Sequence, residues 1–186
     1  MIQLHAPASV SDKRLKTNRH LATFTIAAQS AFTGGCLVIL LVLVPFWQTM
    51  SPAGFLSWFS MNAKALGSTM LPLEMMPLMS SIILSVNAFK KKLANKNAWM
   101  IAAICNLLVL VIFIAYFMPA NFAMAGGTLA ESKVASELLQ WKSFHAIRTS
   151  LSILALFSGW FAMTRQSANG PANSDAGDRN RASLVS

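Results

Sequence analysis

Four side chains that could take part in chemistry lie inside long apolar stretches of this sequence. They are Glu74, Tyr116, His145 and Arg148. Polar groups inside a bilayer are costly and usually face the interior of a helix bundle. Counting from the ends of the apolar stretches places all four in one layer, near one edge of the membrane. The opposite charges of Glu74 and Arg148 at matched depth predict an ion pair within the bundle.

Two interpretations of this layer are open. In the first, the ion pair only fixes the register of the helices, and a histidine caps it. In the second, the layer lines a small pocket in which His145 moves protons and Arg148 holds an anionic or enolate oxygen. Histidine titrates nearest neutral pH, and arginine stays charged and offers a fork of donors. Glu74 and Tyr116 would complete the lining of that pocket.

Composition and length predict the elements that carry these residues. Of the 186 residues, 55% are hydrophobic and 11% are charged, whereas a soluble domain carries about 25% charge. Four apolar runs reach the roughly 20 residues that a membrane-spanning helix needs. We predict an all-α, integral membrane four-helix bundle, with short interfacial helices in the outer loops. Its spans are expected at about 24–47, 69–88, 98–118 and 144–163.

The distribution of lysine and arginine predicts the orientation of the bundle. Eleven of these residues fall in the N-terminal tail, the second loop and the C-terminal tail, and three fall in the other two loops. The positive-inside rule therefore places both termini in the cytoplasm. The membrane is expected to be a cell inner (plasma) membrane. Residues 1–22 are predicted to be a basic tail, disordered or resting on anionic lipid. Residues 23–165 form the membrane domain, and 166–186 a disordered tail.

The outer loops, 48–68 and 119–143, contain signals for short helices. Ser51-Pro52 is a good helix start, and Gly67 is expected to end that helix. Aromatic residues between them predict an amphipathic helix on the outer surface, with Trp58 or Phe59 as a roof over the pocket. A second short helix is expected between residues 128 and 140.

Three-and-four spacing predicts which helix faces point inward. The second span carries a polar stripe of Glu74, Pro77, Ser81 and Ser85. The fourth span carries another, of His145, Arg148, Ser152, Ala155 and Gly159. The first span offers small residues for close packing, Ala27, Ala31 and Gly35. The third span offers Ala102, Asn106, Val109, Phe113 and Tyr116.

Several other classes of site are not indicated. The net charge of +9 comes from short clusters beside apolar runs, without the basic, aromatic-interleaved face that a nucleic-acid partner needs. Cys36 and Cys105 are predicted at different depths, as buried packing residues rather than a disulfide. The methionines at 70–79 are soft enough to ligate copper, but no histidine or cysteine stands at ligand spacing. We therefore predict no metal and no cofactor.

Short motifs follow one another in order along residues 24–163. They are Gly34-Gly35 and Pro45 in and after a small-residue first span, Asn62 in the outer-loop helix, Pro119-Ala120-Asn121 at the end of the third span, and Trp141, His145 and Arg148-Thr149 at the start of the fourth. In this order the chain resembles the anthrone oxygenase-like membrane family, with its Pro-x-Asn turn and its Trp, His and Arg-Thr run. The histidine stands one position earlier than in the family, and Glu74 has no clear counterpart there.

This resemblance implies a four-helix membrane bundle and the oxidation of a polycyclic, phenol-like anthrone by oxygen, without metal or flavin. His145 and Arg148, with Glu74 beside them, are the candidate catalytic residues. The candidate substrate-binding residues are Tyr116, Asn121, Trp141, Asn62 and Trp58. The expected partners are membrane lipid and a small hydrophobic aromatic ligand.

Two functional hypotheses follow. In the first, the protein is an enzyme in which His145 removes an acidic proton, Arg148 stabilises the oxyanion, and the enolate reacts directly with oxygen. In the second, it is a non-catalytic membrane protein, either a lipid or small-molecule binder or an accessory subunit. The hypotheses differ in whether Glu74, Tyr116, His145 and Arg148 line a cavity or only fill the space between one another.

Overall fold

The computed structural model describes the backbone of residues 10–168 and the side chains of residues 18–165. Within that range the chain is helical and contains no β-strand. Its α-helices are α1 (Val10–Val38), α2 (Val44–Gln48), α3 (Pro52–Lys90), α4 (Lys96–Ile112), α5 (Met118–Ala125) and α6 (Val134–Ala168). Two π-helical turns, Ile39–Leu43 and Phe113–Phe117, join α1 to α2 and α4 to α5. A 3₁₀ turn, Glu131–Lys133, precedes α6.

These elements form four membrane-length units. They are Asn18–Gln48, Pro52–Lys90, Lys96–Ala125 and Glu131–Arg165, and each is long and apolar enough to cross a membrane. We number these units as spans 1 to 4. The predicted all-α four-helix membrane bundle is therefore confirmed.

The four spans alternate in direction around the bundle. One end has a core of Ala22, Leu84, Ala88, Trp99 and Ala162, drawn from all four spans. The other end has a larger aromatic core that includes Trp47, Phe55, Phe117 and Trp141. Span 1 packs on spans 2 and 4, and span 3 packs on the same two. Spans 2 and 4 therefore face each other diagonally, across the centre of the bundle.

The helix that begins after Ser51 was predicted to lie flat on the surface as a separate element, and this prediction is wrong. Ser51 begins it as expected, because its hydroxyl accepts a hydrogen bond from the Gly54 amide at 3.2 Å. The helix then continues through Gly67 to Lys90 as one element, so the expected end at Gly67 is wrong. A glycine within a helix costs only about 1 kcal/mol relative to alanine. Burial of Phe55 and Phe59 in the aromatic core favours the continuous helix.

In two of the spans a π-helical turn ends two residues before a proline. Ile39–Leu43 precedes Pro45, and Phe113–Phe117 precedes Pro119. A proline ring has no N–H and clashes with the carbonyl four residues earlier in an α-helix. A wider turn relieves that clash, so span 3 continues to Ala125. The prediction that span 3 ends in a turn at Pro119-Ala120-Asn121 is therefore wrong.

The ends of the membrane domain also differ from the prediction. Helix α1 begins at Val10, so the described part of the basic tail is helical rather than disordered. The expected helix at 128–140 forms only from Glu131 and runs into span 4 without a break. Residues 1–9 and 169–186, including most of the predicted C-terminal tail, lie outside the described residues.

The predicted inward faces are correct for spans 2 and 4 and wrong for span 1. Both polar stripes are buried, including Ser81 and Ser152 at 0% exposure. In span 1, Ala27 and Ala31 are exposed. Its buried face is larger and more polar than expected: Thr25, Gln29, Phe32 and Cys36. Gln29 and Thr33 both donate to the Ser152 carbonyl, at 3.2 Å and 3.4 Å, so polar contacts help to join span 1 to span 4.

Candidate functional site

The centre of the site is an ion pair between the diagonal spans. A terminal amino group of Arg148 on span 4 donates to the Oε2 atom of Glu74 on span 2. Both residues are buried, at 5% and 2% exposure. Spans 2 and 4 lie diagonally opposite each other, so their backbones are farther apart than those of adjacent spans. Only long side chains can therefore meet between them. The predicted ion pair between Glu74 and Arg148 is confirmed, and the contact is direct.

Aromatic rings surround the guanidinium of Arg148. Its Cζ atom lies 5.2 Å from the ring centroid of Phe32, 5.4 Å from that of Phe117 and 5.8 Å from that of Phe113. Cations are attracted to the faces of aromatic rings at such distances. The rings also exclude water, and low polarity strengthens the attraction of Arg148 for any anionic oxygen nearby. The arginine is thus held by Glu74 on one side and by three rings from spans 1 and 3.

His145 lies one helical turn before Arg148, at 0% exposure. Its Nε2 atom lies 3.0 Å from the backbone carbonyl oxygen of Cys36. A carbonyl oxygen can only accept a hydrogen bond, so Nε2 carries the proton. In the neutral imidazole, Nδ1 is then the bare nitrogen that accepts protons. The imidazole stacks on the Trp141 ring at 4.8 Å between centroids, which fixes its orientation.

A cavity of about 70 Å³ lies between these groups and the N-terminal half of α3. Its polar lining consists of Trp47, Glu74, Asn121, Trp141, His145 and Arg148. Ile39 and Phe113, one from each π-helical turn, also line it. Phe59 lines it as expected of a roof residue. On one side the lining includes Gly67 and Leu71, both exposed on the surface of span 2, so the cavity reaches the outside of the bundle there.

Four buried polar atoms in this lining have no hydrogen-bond partner within the described residues. They are Nε1 of Trp47, Oε1 of Glu74, Nδ1 of His145 and Nε of Arg148. A buried polar group without a partner costs about 1–3 kcal/mol, and native proteins keep few of them. All four atoms belong to residues that line the cavity, so the site keeps two donors and two acceptors without partners.

Three predicted binding residues lie outside the cavity lining. The Tyr116 hydroxyl donates to Oε1 of Glu137 at 2.8 Å, and its ring stacks on Phe144 at 4.1 Å. Trp58 packs against the ring of Trp47 at 5.5 Å. The Asn62 side chain donates to the Trp58 carbonyl of its own helix, at 2.8 Å. Tyr116 therefore joins spans 3 and 4, and Trp58 supports Trp47 from outside.

Asn121 and Trp141 line the cavity as predicted, and they also bind each other. The indole N–H of Trp141 donates to Oδ1 of Asn121 at 3.0 Å. This bond connects spans 3 and 4 just beyond the ion pair. It also satisfies the only donor of the Trp141 side chain, so Trp141 offers the cavity a ring face rather than a hydrogen bond.

Trp47 was predicted only as the last residue of the first span and was given no role in the site. The side chain is 1% exposed and lies against Phe55, Phe59 and Trp141 at centroid distances of 5.3–5.9 Å. Its indole N–H is one of the four buried atoms without a partner. Pro45 two residues earlier was the available signal, since it marks the π-helical turn that precedes α2 and Trp47.

Comparison with known proteins identifies no relative of this chain. No protein-family model, no curated protein and no solved structure matches this chain.

Proposed function

We propose that this protein is a membrane-embedded enzyme that removes a proton from a small, electron-rich aromatic substrate and so promotes its oxidation by oxygen. One observation carries the proposal. Four residues that line the cavity each keep a buried polar atom without a partner: two donors, on Trp47 and Arg148, and two acceptors, on Glu74 and His145. A site of this kind fits a molecule that presents both an acceptor oxygen and an acidic hydrogen, as an enolisable aromatic ketone or a phenol does.

In this proposal His145 is the general base. Its Nε2–H is engaged by the Cys36 carbonyl, so the free Nδ1 takes the proton of the substrate. Stacking on Trp141 keeps the ring from turning when the charge on the imidazole changes. A positioned base contributes typically 10²–10⁴-fold to the rate of such a proton transfer.

Arg148 and Trp47 stabilise the oxyanion that forms when the proton leaves. The Glu74 carboxylate binds a terminal nitrogen of the guanidinium, which leaves the Nε–H of Arg148 available. The indole N–H of Trp47 supplies a second, neutral donor. Preorganised donors in a water-poor site are usually the largest single contribution to catalysis of this type.

The oxidation step follows from the resemblance to anthrone oxygenases. The enolate of an anthrone gives electrons to O₂, a carbon–oxygen bond forms, and protonation gives a hydroperoxide. Loss of water from the hydroperoxide then leaves a second carbonyl group. The methylene carbon is oxidised to a ketone, one oxygen atom enters the product, and the other leaves as water. His145 removes the first proton and can return it to the peroxide.

The size of the cavity limits what it can enclose. A cavity of about 70 Å³ is smaller than the roughly 150 Å³ site that accepts benzene. It therefore holds the reacting edge of a polycyclic substrate, while the remaining rings lie on the open side beside Gly67 and Leu71. That side faces the membrane, from which a hydrophobic substrate would arrive.

The function is tested with anthrone and the full-length protein in lipid nanodiscs. We expect anthraquinone to form with consumption of one O₂ per anthrone, measured by absorbance and an oxygen electrode, at a rate well above that of empty nanodiscs. Anthrone that binds, by quenching of tryptophan fluorescence, but does not turn over would instead support a small-molecule binder. Absence of both binding and turnover would leave the accessory-subunit hypothesis.

Access from the membrane predicts a role for Gly67. An added Cβ at Gly67 meets no heavy atom within 4 Å, so Gly67→Phe is expected to fold and to fill the opening. The added ring would occupy the space that the outer rings of the substrate need, so kcat/KM for anthrone should fall about tenfold or more, which corresponds to about 1.4 kcal/mol. The control is Gly34→Phe, another exposed helical glycine with the same free space but outside the cavity lining. Equal rates for the two variants would show that the substrate does not enter beside Gly67.

We further propose that the protein lies in a cell inner (plasma) membrane with both termini in the cytoplasm, as the eleven-to-three distribution of basic residues indicates. Thr128 and Lys91 are exposed residues at opposite ends of the bundle, and the native Cys36 and Cys105 are buried. In intact cells a membrane-impermeant thiol reagent should label Thr128→Cys and not Lys91→Cys. The reverse pattern would invert the topology.

A further inference from the structure

We propose that a groove between spans 2 and 3 binds one acyl chain of an anionic phospholipid, whose phosphate is held by the lysines at the end of the groove. This site is separate from the catalytic cavity and does not depend on the function proposed for it. The groove has a volume of about 200 Å³ and is lined by Ile82, Ser85, Val86, Met100, Ala103, Ile104 and Leu107.

The groove has the dimensions and surface of an acyl-chain site. From Met100 to Leu107 it extends about 10 Å along the helix axis, roughly a third of the hydrocarbon core of a bilayer. Five of its apolar residues are exposed on the bundle surface, at 37–49%: Ile82, Val86, Met100, Ile104 and Leu107. A concave apolar surface at this depth accommodates a flexible hydrocarbon chain better than a rigid, flat molecule.

The charge at the end of the groove selects the headgroup. Lys90 stands four residues after Val86 on span 2, and Lys96 stands four residues before Met100 on span 3. At helical spacing both lysines therefore continue the two walls of the groove. Lys91 and Lys92 lie in the connection between them, and Lys96 reaches over the Phe89 ring at 5.5 Å from its centroid.

Within residues 18–165 no acidic side chain neutralises these lysines. The sequence has no Asp or Glu between Glu74 and Glu131, and within residues 18–165 none of the four lysines forms an ion pair. Basic pockets between membrane helices are typical sites for the phosphates of anionic lipids. A second copy of this chain fits less well. Two copies inserted in the same direction and joined along this groove would bring their lysine clusters together.

The test measures lipid retention by native mass spectrometry of the full-length protein, delipidated in mild detergent. Dioleoyl phosphatidylglycerol and dioleoyl phosphatidylcholine are added at equal concentrations, and sodium phosphate serves as a headgroup without chains. We expect phosphatidylglycerol to be retained at least about tenfold more tightly, since each nearby lysine contributes favourably to binding of an anionic lipid. Equal retention of the two lipids, or competition by free phosphate alone, would overturn the proposal.

Two variants separate the headgroup from the chain. Lys90→Gln/Lys96→Gln should weaken phosphatidylglycerol binding about 10- to 30-fold, whereas Lys64→Gln/Lys142→Gln, which removes the same charge from exposed sites at the other end, should not. Ala103→Phe fills the groove and should abolish retention with the lysines intact. Thermal unfolding of each variant is followed in parallel. If the two lysine pairs behave alike, or if the protein is a dimer that Ala103→Phe dissociates, the groove is not a lipid site.

Discussion

Glu74→Gln and Arg148→Gln are each expected to cost about 3–5 kcal/mol of unfolding free energy, whereas the double variant should cost less than either alone. Each single change leaves one charge buried in the centre of the bundle without its counter-ion. Removing both charges leaves two amides that can bond to each other. The measurement is reversible unfolding in mixed detergent micelles, with a double-mutant cycle to extract the coupling.

A surface pair provides the control for this cycle. Lys64→Gln and Glu131→Gln change exposed residues, so each should stay within about 0.5 kcal/mol of the native protein and the two effects should add. If the Glu74 and Arg148 effects also add, the two side chains are not energetically coupled. The double variant has a further use, because it separates the interpretations of the ion pair. A folded double variant that no longer oxidises anthrone would show that the pair serves more than helix register.

Much of the fold could be predicted because a bilayer imposes local rules on the sequence. Each spanning helix must satisfy its backbone internally and present apolar residues for about 20 positions, and hydropathy measures both directly. The contact between Glu74 and Arg148 could be predicted for a similar reason, since opposite charges in lipid must meet. Neither inference required knowledge of the neighbouring helices.

The errors arise where burial in the core or a change of helix type overrides a helix-breaking residue. Gly67 and Pro119 are ordinary helix breakers, yet spans 2 and 3 continue through them. At Gly67 the cause is burial of Phe55 and Phe59 in the aromatic core. At Pro119 the cause is the wider turn that precedes it. A glycine inside a helix costs only about 1 kcal/mol relative to alanine. Burial of one phenylalanine side chain contributes more, about 1.5–3 kcal/mol.

The π-helical turns explain why part of the site was misassigned. An α-helix advances about 100° per residue, so the three-and-four spacing that selected Tyr116 holds only in a regular helix. Tyr116 lies within the π-helical turn Phe113–Phe117, where that spacing fails, and its hydroxyl bonds to Glu137 instead. The same irregularity precedes Trp47 in span 1. Residues before the turns, such as Val109 and Cys36, are buried as a regular helix requires.

His145→Gln is expected to lower kcat for anthrone oxidation about 10²–10⁴-fold, the usual contribution of a positioned general base. Glutamine keeps an N–H donor for the Cys36 carbonyl, so the structural hydrogen bond at Nε2 is preserved while the proton acceptor at Nδ1 is lost. KM should change little, because the loss affects proton transfer more than binding. Initial rates of anthraquinone formation in nanodiscs give both constants.

The matched control is Tyr116→Phe, which also removes a titratable group from the outer half of the bundle. The Tyr116 hydroxyl bonds to Glu137 outside the cavity lining, so this variant should lose about 1 kcal/mol of stability and keep its kcat. Unfolding free energies of both variants are measured beside their rates, because only a fall in kcat without comparable unfolding assigns chemistry to His145. A His145→Gln protein that folds and retains the native kcat would remove the histidine from the mechanism. The cavity, with donors from Trp47 and Arg148, would then be a binding site for an aromatic oxygen compound.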